Sequence, residues 1–196
     1  EGQILCQNGE AVEAYYFSTS AGVTSTDEIW GSDEAAPYLR SVPCKFDEEE
    51  PWSSWIVELP WKMLEDRIRE KGEGTVLRSV TVTRRSESGA ATALEAVSDK
   101  DSCIIENEYE IRKFLAPVNC MITEKDGTET AGGSLLPSAY FELERTQNGN
   151  LQVRGKGYGH GVGMSQTGAD KMAEQGYDYR EILDYFFRNI TVENLG

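Results

Sequence analysis

The sequence predicts an α+β fold, a single domain of antiparallel β-hairpins with several short helices. Asn8-Gly9 and Asn148-Gly149 each interrupt strand-like runs, and an Asn-Gly pair in that setting favours the tight turn of a hairpin. A β-branched stretch at 75–84, with Val76, Val80, Thr81, Val82 and Thr83, is matched by a second at 92–97 across the turn residues 86–89. There is no strand-helix-strand alternation and no internal repeat, which argues against a parallel doubly wound sheet.

In chain order, residues 2–7 and 11–18 flank the first Asn-Gly turn and read as strands. Residues 24–51 hold Gly31, Pro37, Pro43 and Pro51 among scattered aromatics, the pattern of an ordered irregular segment with Trp52 and Trp55 packing at its end. After Pro60 the apolar Trp61, Met63, Leu64 and Ile68 recur at helical intervals, predicting a helix to Lys71 that Gly72 and Gly74 stop. Asn107 is placed to cap a helix through Tyr109, Ile111, Arg112, Phe114 and Leu115 that ends before Pro117. Residues 139–145 and 151–154 form the second hairpin. A helix is expected over 162–175 with Gly176 as its stop, and a last one carries Ile182, Leu183, Tyr185, Phe186 and Phe187.

The chain is 39% hydrophobic over 196 residues, sufficient for a core, and carries 19 basic against 34 acidic side chains for a net charge of −15. Such a field repels nucleic-acid phosphates and anionic lipid, and no basic patch is visible in the sequence to reverse it. The densest acidic run, 47–50, reads as a solvated loop. No apolar run approaches the ~18–20 residues of a membrane span. The opening residues carry no initiator Met and no signal-like segment, so the chain reads as a fragment, with any membrane anchor expected outside it. Cys6, Cys44, Cys103 and Cys120 are widely spaced and accompanied by a single histidine, so no metal and no cofactor is expected. Three disulfide pairings and free thiols all remain open.

The chemistry concentrates in residues 155–166, Gly-Lys-Gly-Tyr-Gly-His-Gly-Val-Gly-Met-Ser-Gln, with glycine at every second position to 163. An extended ribbon of this kind presents bare backbone on one face, able to lie against another layer or a ligand, and Lys156, Tyr158 and His160 on the other. Neither the dinucleotide fingerprint nor the Walker loop is matched. His160, the sole histidine, reads either as a functional imidazole or as a hydrogen-bonded residue of a tight turn. Ser165 and Gln166 open the following helix, where they cap it or offer donors to a sugar hydroxyl or carboxylate.

Residues 155–187, GKGYGHGVGMSQTGADKMAEQGYDYREILDYFF, resemble the C-terminal signature of the family of stage II sporulation protein D and its amidase-enhancer relatives. Further pieces fit in order: AYYFSTSAGVTSTDEIWG, PYLRSV, residues 86–89, EIRKFL and LPSAYFELE. The resemblance implies a lytic transglycosylase that cuts peptidoglycan strands already stripped of stem peptides during engulfment of the forespore. It implies a location outside the cytoplasm, at the cell wall or between the forespore and mother-cell membranes. Implied partners are glycan strands and other cell-wall hydrolases, not nucleic acid. The family's catalytic glutamate belongs to a segment resembling "E-x-P … eALkAQAvaARTya". No such segment occurs here, so the acid is expected upstream and the chain is expected to supply the glycan groove. The amidase-enhancer branch implies the alternative, a non-catalytic glycan-binding or amidase-activating module.

Phe17 stands where many members have histidine in "HSTSGG", which argues against the zinc of one branch, and Ala21 replaces a glycine. By the same resemblance Ser18, Thr19, Ser20 and Trp30 are candidates to line a saccharide groove, with core packing the alternative for Trp30. Arg40 is a candidate for a muramyl lactyl carboxylate, with a surface ion pair as the alternative.

Overall fold

The computed structural model describes residues 2–32 and 34–194. Asn8 and Gly9, both at positive φ, turn strand β1 (Gln3–Gln7) back onto β2 (Glu10–Ala11). Strand β3 (Tyr16–Phe17) follows, so the run expected at 11–18 divides in two. The split has a distant cause, because β3 leaves the hairpin to pair in parallel with residues 164–165. The stretch up to Pro51 is irregular apart from a 3-10 turn at Asp27–Trp30, as its prolines and glycines predict.

Strand β4 (Trp55–Leu59) buries Trp55, Val57 and Leu59 with the two-residue period of a half-buried strand. Helix α1 (Trp61–Glu70) buries Leu64 and Ile68, one turn apart, and ends where Gly72 adopts φ 76°. The Gly72 N–H reaches the Arg69 carbonyl and the Glu73 N–H the Ile68 carbonyl, a Schellman closure. Strands β5 (Leu77–Arg85), β6 (Ala91–Ser98) and β7 (Ser102–Glu106) form a three-stranded antiparallel sheet. Asn107 caps α2 (Glu108–Phe114) by accepting from the Glu110 N–H at 2.9 Å.

Strands β8 (Met121–Glu124), β9 (Glu129–Ala131), β10 (Phe141–Arg145) and β11 (Leu151–Gly155) complete a five-stranded sheet of order β10-β11-β4-β8-β9, antiparallel throughout. The two-residue strand β12 (Met164–Ser165) precedes α3 (Gln166–Glu174). That helix therefore begins later than the glycine-rich sequence suggests, because 164–165 are held extended against β3. Helix α4 (Tyr179–Phe186) opens with a capping box between Asp178 and Glu181, and β13 (Thr191–Asn194) returns to β1.

Two apolar clusters result. The first joins Val57, Leu64, Ile68, Leu94, Ile111 and Leu115 across β4, α1, β6 and the α2 segment. The second joins Ile29, Leu39 and Val42 of the irregular segment to Tyr140, Val162, Met172 and Phe186. The glycine ribbon contributes Val162 to this second cluster and carries the chain from β11 to β12.

Candidate functional site

The ribbon after β11 is not the extended strand that its alternation suggests. Gly157, Gly159, Gly161 and Gly163 all have positive φ, between 76° and 117°, so every second residue turns the chain. Their bare sides rest on protein. A Cβ at Gly159 would lie 2.7 Å from the Phe17 Cβ, and one at Gly163 would lie 2.2 Å from the Tyr15 carbonyl oxygen. Glycine is required at both for backbone angle and for close approach.

Backbone hydrogen bonds pin the ribbon from several sides. The Tyr158 and Thr19 amides exchange bonds with each other's carbonyls, the Gly159 N–H donates to Pro137, and the Ser25 N–H donates to Gly161. The Trp55 indole donates to the Gly157 carbonyl at 2.9 Å. Arg112 extends this frame from α2. It pairs with the buried Glu108 and donates to the carbonyls of Leu136 and Pro137, the second of which also receives Gly159.

A buried carboxylate ties the ribbon's exit to the Ser18–Thr19–Ser20 run. Asp47 is 1% exposed and accepts from the Ser20 N–H at 2.8 Å, the Ser20 hydroxyl at 2.7 Å, the Ser165 hydroxyl at 2.6 Å and the Thr167 hydroxyl at 3.2 Å. The solvated reading of 47–50 holds for the exposed Glu48 and Glu49 and fails for Asp47, whose burial those four donors compensate. Ser165 also caps α3 by accepting from the Gly168 N–H. Cys44 lies beside this knot, its thiol pushed up to about 12 by burial and by the Asp47 charge. All four cysteines are free thiols.

His160 packs against Trp30, ring centroids 5.2 Å apart, and against Phe17 at 5.8 Å. Its Nδ1 accepts from the Val162 N–H at 3.1 Å. Burial, with the nearby Arg112 charge, lowers its pKa from 6.5 to about 4, so the ring is neutral at pH 7. Trp30, 36% exposed, is also edged by Tyr15 at 5.0 Å.

The other predicted site residues separate. Thr19, Ser20 and Ser165 are buried in and around the Asp47 knot, Ser18 is half-buried, and Gln166 is exposed at the start of α3. Lys156 lines a cavity of about 270 Å³ with Val23, Arg85, Ser88, Tyr140 and Arg154. Arg40 lines a neighbouring depression of about 740 Å³ that shares Val23 and Ser88 with it, so the two adjoin at those residues. Tyr158 belongs elsewhere. It lines a cavity of about 380 Å³ with Trp52 and Arg112, its ring 4.7 Å from that of Trp52. The alternation thus sends Lys156 and Tyr158 to different cavities instead of one row.

The structure adds residues that sequence reasoning passed over. Arg85 and Arg154 converge on the predicted Lys156, with Glu142 beside them, a local basic grouping that their sequence positions conceal. Ser25, Ser88 and Tyr140 join their hydroxyls at the groove, and Asp47 and Arg112 frame the ribbon. The signals for these were pieces of the resemblance, AYYFSTSAGVTSTDEIWG for Ser25, residues 86–89 for Ser88, EIRKFL for Arg112 and LPSAYFELE for Tyr140; nothing marked Arg85, Arg154 or Asp47. Among the described residues, no three His, Cys, Asp or Glu side chains converge as metal ligands.

A family profile described as "Domain of unknown function (DUF8618)" matches residues 40–163, more than half of the chain. Stage II sporulation protein D of Bacillus amyloliquefaciens is 30% identical over 192 residues, 98% of this chain and 48% of that protein. The protein of the same name from Bacillus subtilis (strain 168) is 28% identical over 193 residues, again 98% and 48%. The chain belongs to the stage II sporulation protein D family. The amidase enhancer of B. subtilis (strain 168) is a further relative, 22% identical over 225 residues, covering 98% of this chain and 31% of that protein. This member of the family spans about half the length, or less, of the curated relatives it matches.

Proposed function

We propose that the chain is the glycan-handling part of a peptidoglycan lytic transglycosylase of sporulation, working outside the cytoplasm at the cell wall. The observation that carries this reading is the pair of adjoining depressions, read as one groove, that Lys156 of the glycine ribbon and Arg40 of the irregular segment line. Both residues belong to the pieces that tie the chain to its family. Glycan rings lie along the groove, with hydroxyls facing Ser88 and Thr26.

The reaction needs one carboxylic acid, which protonates the departing glycosidic oxygen. The carboxylate formed then takes the proton of the C6 hydroxyl as that oxygen closes on C1, leaving a 1,6-anhydro end. The buried glutamates of this chain do not fit the role. Glu108 is paired with Arg112, Glu124 accepts from Thr130, and neither lines the groove. His160, neutral and receiving the Val162 N–H, positions the ribbon and is not the acid. The glutamates that do line the groove, Glu28, Glu87 and Glu142, are all exposed. This reading takes the acid from polypeptide outside these residues, as the resemblance implies, and gives these residues the bed for the strand.

The kinship with an amidase enhancer favours a second reading, binding without turnover. Incubating the full-length protein with peptide-free glycan strands and analysing the products by mass spectrometry separates the two. Accumulation of 1,6-anhydromuramic ends is expected. Retention of the strands with no new ends establishes the binding module instead.

A further inference from the structure

The five-stranded sheet is covered at one edge and open at the other. Along β10 the Arg85 guanidinium donates to the Phe141 carbonyl at 2.8 Å, and the Ala91 N–H donates to Ala139 just ahead of the strand. Among the described residues nothing comparable meets β9, the strand at the far edge. The Glu124 N–H donates to the Thr128 carbonyl and the Gly132 N–H to the Cys120 carbonyl, at the two ends of the β8–β9 ladder. Antiparallel bonds recur at every second residue, so Thr130 turns its main-chain groups towards Ile122, whereas Glu129 and Ala131 turn theirs outward. Among the described residues no hydrogen bond reaches those outward groups.

Beside this edge lies a cavity of about 380 Å³, within the ~300–1,000 Å³ range of ligand sites and separate from the glycan groove. Ile122 and Thr130, paired across the ladder, share the sheet face that lines it, and Leu135 and Pro137 follow β9 round its wall. Trp52 and Tyr158 stand over it with their rings 4.7 Å apart, edge to face, and Tyr158 is 43% exposed. Both are fixed from behind: the Gly157 N–H donates to the Trp52 carbonyl, and the Tyr158 N–H to Thr19. The Arg112 guanidinium at the cavity is already taken by Glu108 and by the carbonyls of Leu136 and Pro137. The cavity therefore suits an uncharged, apolar side chain.

The other face of β9 carries charge. Glu129 is exposed and, among the described residues, forms no salt bridge. Lys125, a nearby cation on the same hairpin, is held by Glu49 at 2.9 Å and by the Glu48 carbonyl at 2.6 Å. Met121, opposite Ala131 in the ladder, is 51% exposed on that face.

We propose that β9 is a docking edge for an extended segment of a partner protein, which adds to the sheet as a sixth, antiparallel strand. Only a polypeptide in extended form matches the alternating donors and acceptors of Glu129 and Ala131. The register then dictates its side chains. The residue opposite Thr130 is apolar and enters the Trp52–Tyr158 cavity. The next residue, opposite Glu129, is Lys or Arg and forms a cross-strand ion pair. The preceding one, opposite Ala131, is apolar and covers Met121.

The probe for the test is a capped peptide of that pattern, Thr-Val-Leu-Lys-Val-Thr, titrated into the 15N-labelled chain. Saturable amide shifts are expected at residues 128–135 and at Trp52 and Tyr158. Methylating the backbone nitrogens of the Val and Lys that flank Leu should weaken binding at least about tenfold. A peptide with Glu in place of Lys should bind about threefold more weakly, and Glu129→Lys should reverse that order. Ala131→Pro removes an outward donor without touching the ladder to β8 and should weaken the unmodified peptide about tenfold. If that variant fails to fold, the methylated peptide reads the same bonds on the wild type. Absence of saturable binding, or binding indifferent to both backbone methylation and Glu129→Lys, overturns the proposal. A dimer seen by sedimentation without peptide, and lost in Glu129→Lys, gives the edge to a second copy and overturns the partner. None of these outcomes bears on the glycan groove.

Discussion

Asp47 and Ser165, 118 positions apart, share a 2.6 Å hydrogen bond that fastens the first turn of α3 to the segment carrying Ser18 and Ser20. The same carboxylate holds Ser20 through both amide and hydroxyl, so the two signature segments meet on one buried charge. The site is thereby built on a core feature.

Removing that charge should be costly. Asp47→Ala leaves the Ser20, Ser165 and Thr167 donors without their acceptor, and a loss of about 2–4 kcal/mol in unfolding free energy is expected from denaturant titration. Glu48→Ala, one residue along and exposed, should change stability by no more than about 0.5 kcal/mol. Equal effects would show that Asp47 is not an organising residue.

The ribbon glycines should tolerate alanine unequally. At Gly159 an added Cβ meets both φ 117° and the Phe17 side chain at 2.7 Å, so Gly159→Ala is expected to cost about 2 kcal/mol or more. At Gly149, with φ 81° but open space beyond a long contact to Arg145, the backbone term alone applies, about 1 kcal/mol. Thermal or chemical denaturation of the two variants checks the ordering.

The lone histidine provides a pH probe. Its folded pKa, lowered to about 4, lies below the ordinary 6.5. Between these values the unfolded chain binds more protons than the folded one, so this contribution to stability is complete above about pH 6.5 and lost as pH falls towards 4. A single imidazole resonance titrating near 4 is expected by NMR. His160→Gln should flatten the fall in denaturation midpoint between pH 6.5 and 4.5 relative to the wild type.

Thiol labelling should divide the cysteines by burial. Cys103 and Cys120 are half-buried, whereas Cys6 and Cys44 are 2% and 0% exposed. In the native protein, reagent should consume the first pair well before the second, and all four should react once the chain is unfolded. Fast labelling of Cys44 would contradict its elevated pKa and its seat beside Asp47.

Much of the fold is legible locally. The hairpin turns at 8–9 and 148–149 depend on residues that accept positive φ, and α1 shows Leu64 and Ile68 one turn apart. What escapes is set by partners remote in sequence. Strand β13 earns its structure from β1, nearly the full chain away, and β7 buries Ile105 alone among its five residues, so neither displays a strong period. The site follows the same division. Alternating glycines mark the ribbon plainly, but its shape depends on what lies beneath it: Phe17 under Gly159, Tyr15 under Gly163, and Pro137 receiving Gly159. Asp47 is hidden among acidic neighbours because its donors come from positions 20, 165 and 167.

The most direct test maps the glycan onto the chain. Peptide-free glycan oligosaccharide would be titrated into 15N-labelled protein and the amide shifts followed. Shifts should concentrate in residues 21–26, 36–41, 85–89 and 154–156, the walls of the groove. Shifts confined to Trp52, Tyr158 and residues 130–137, or no saturable shifts at all, would contradict it.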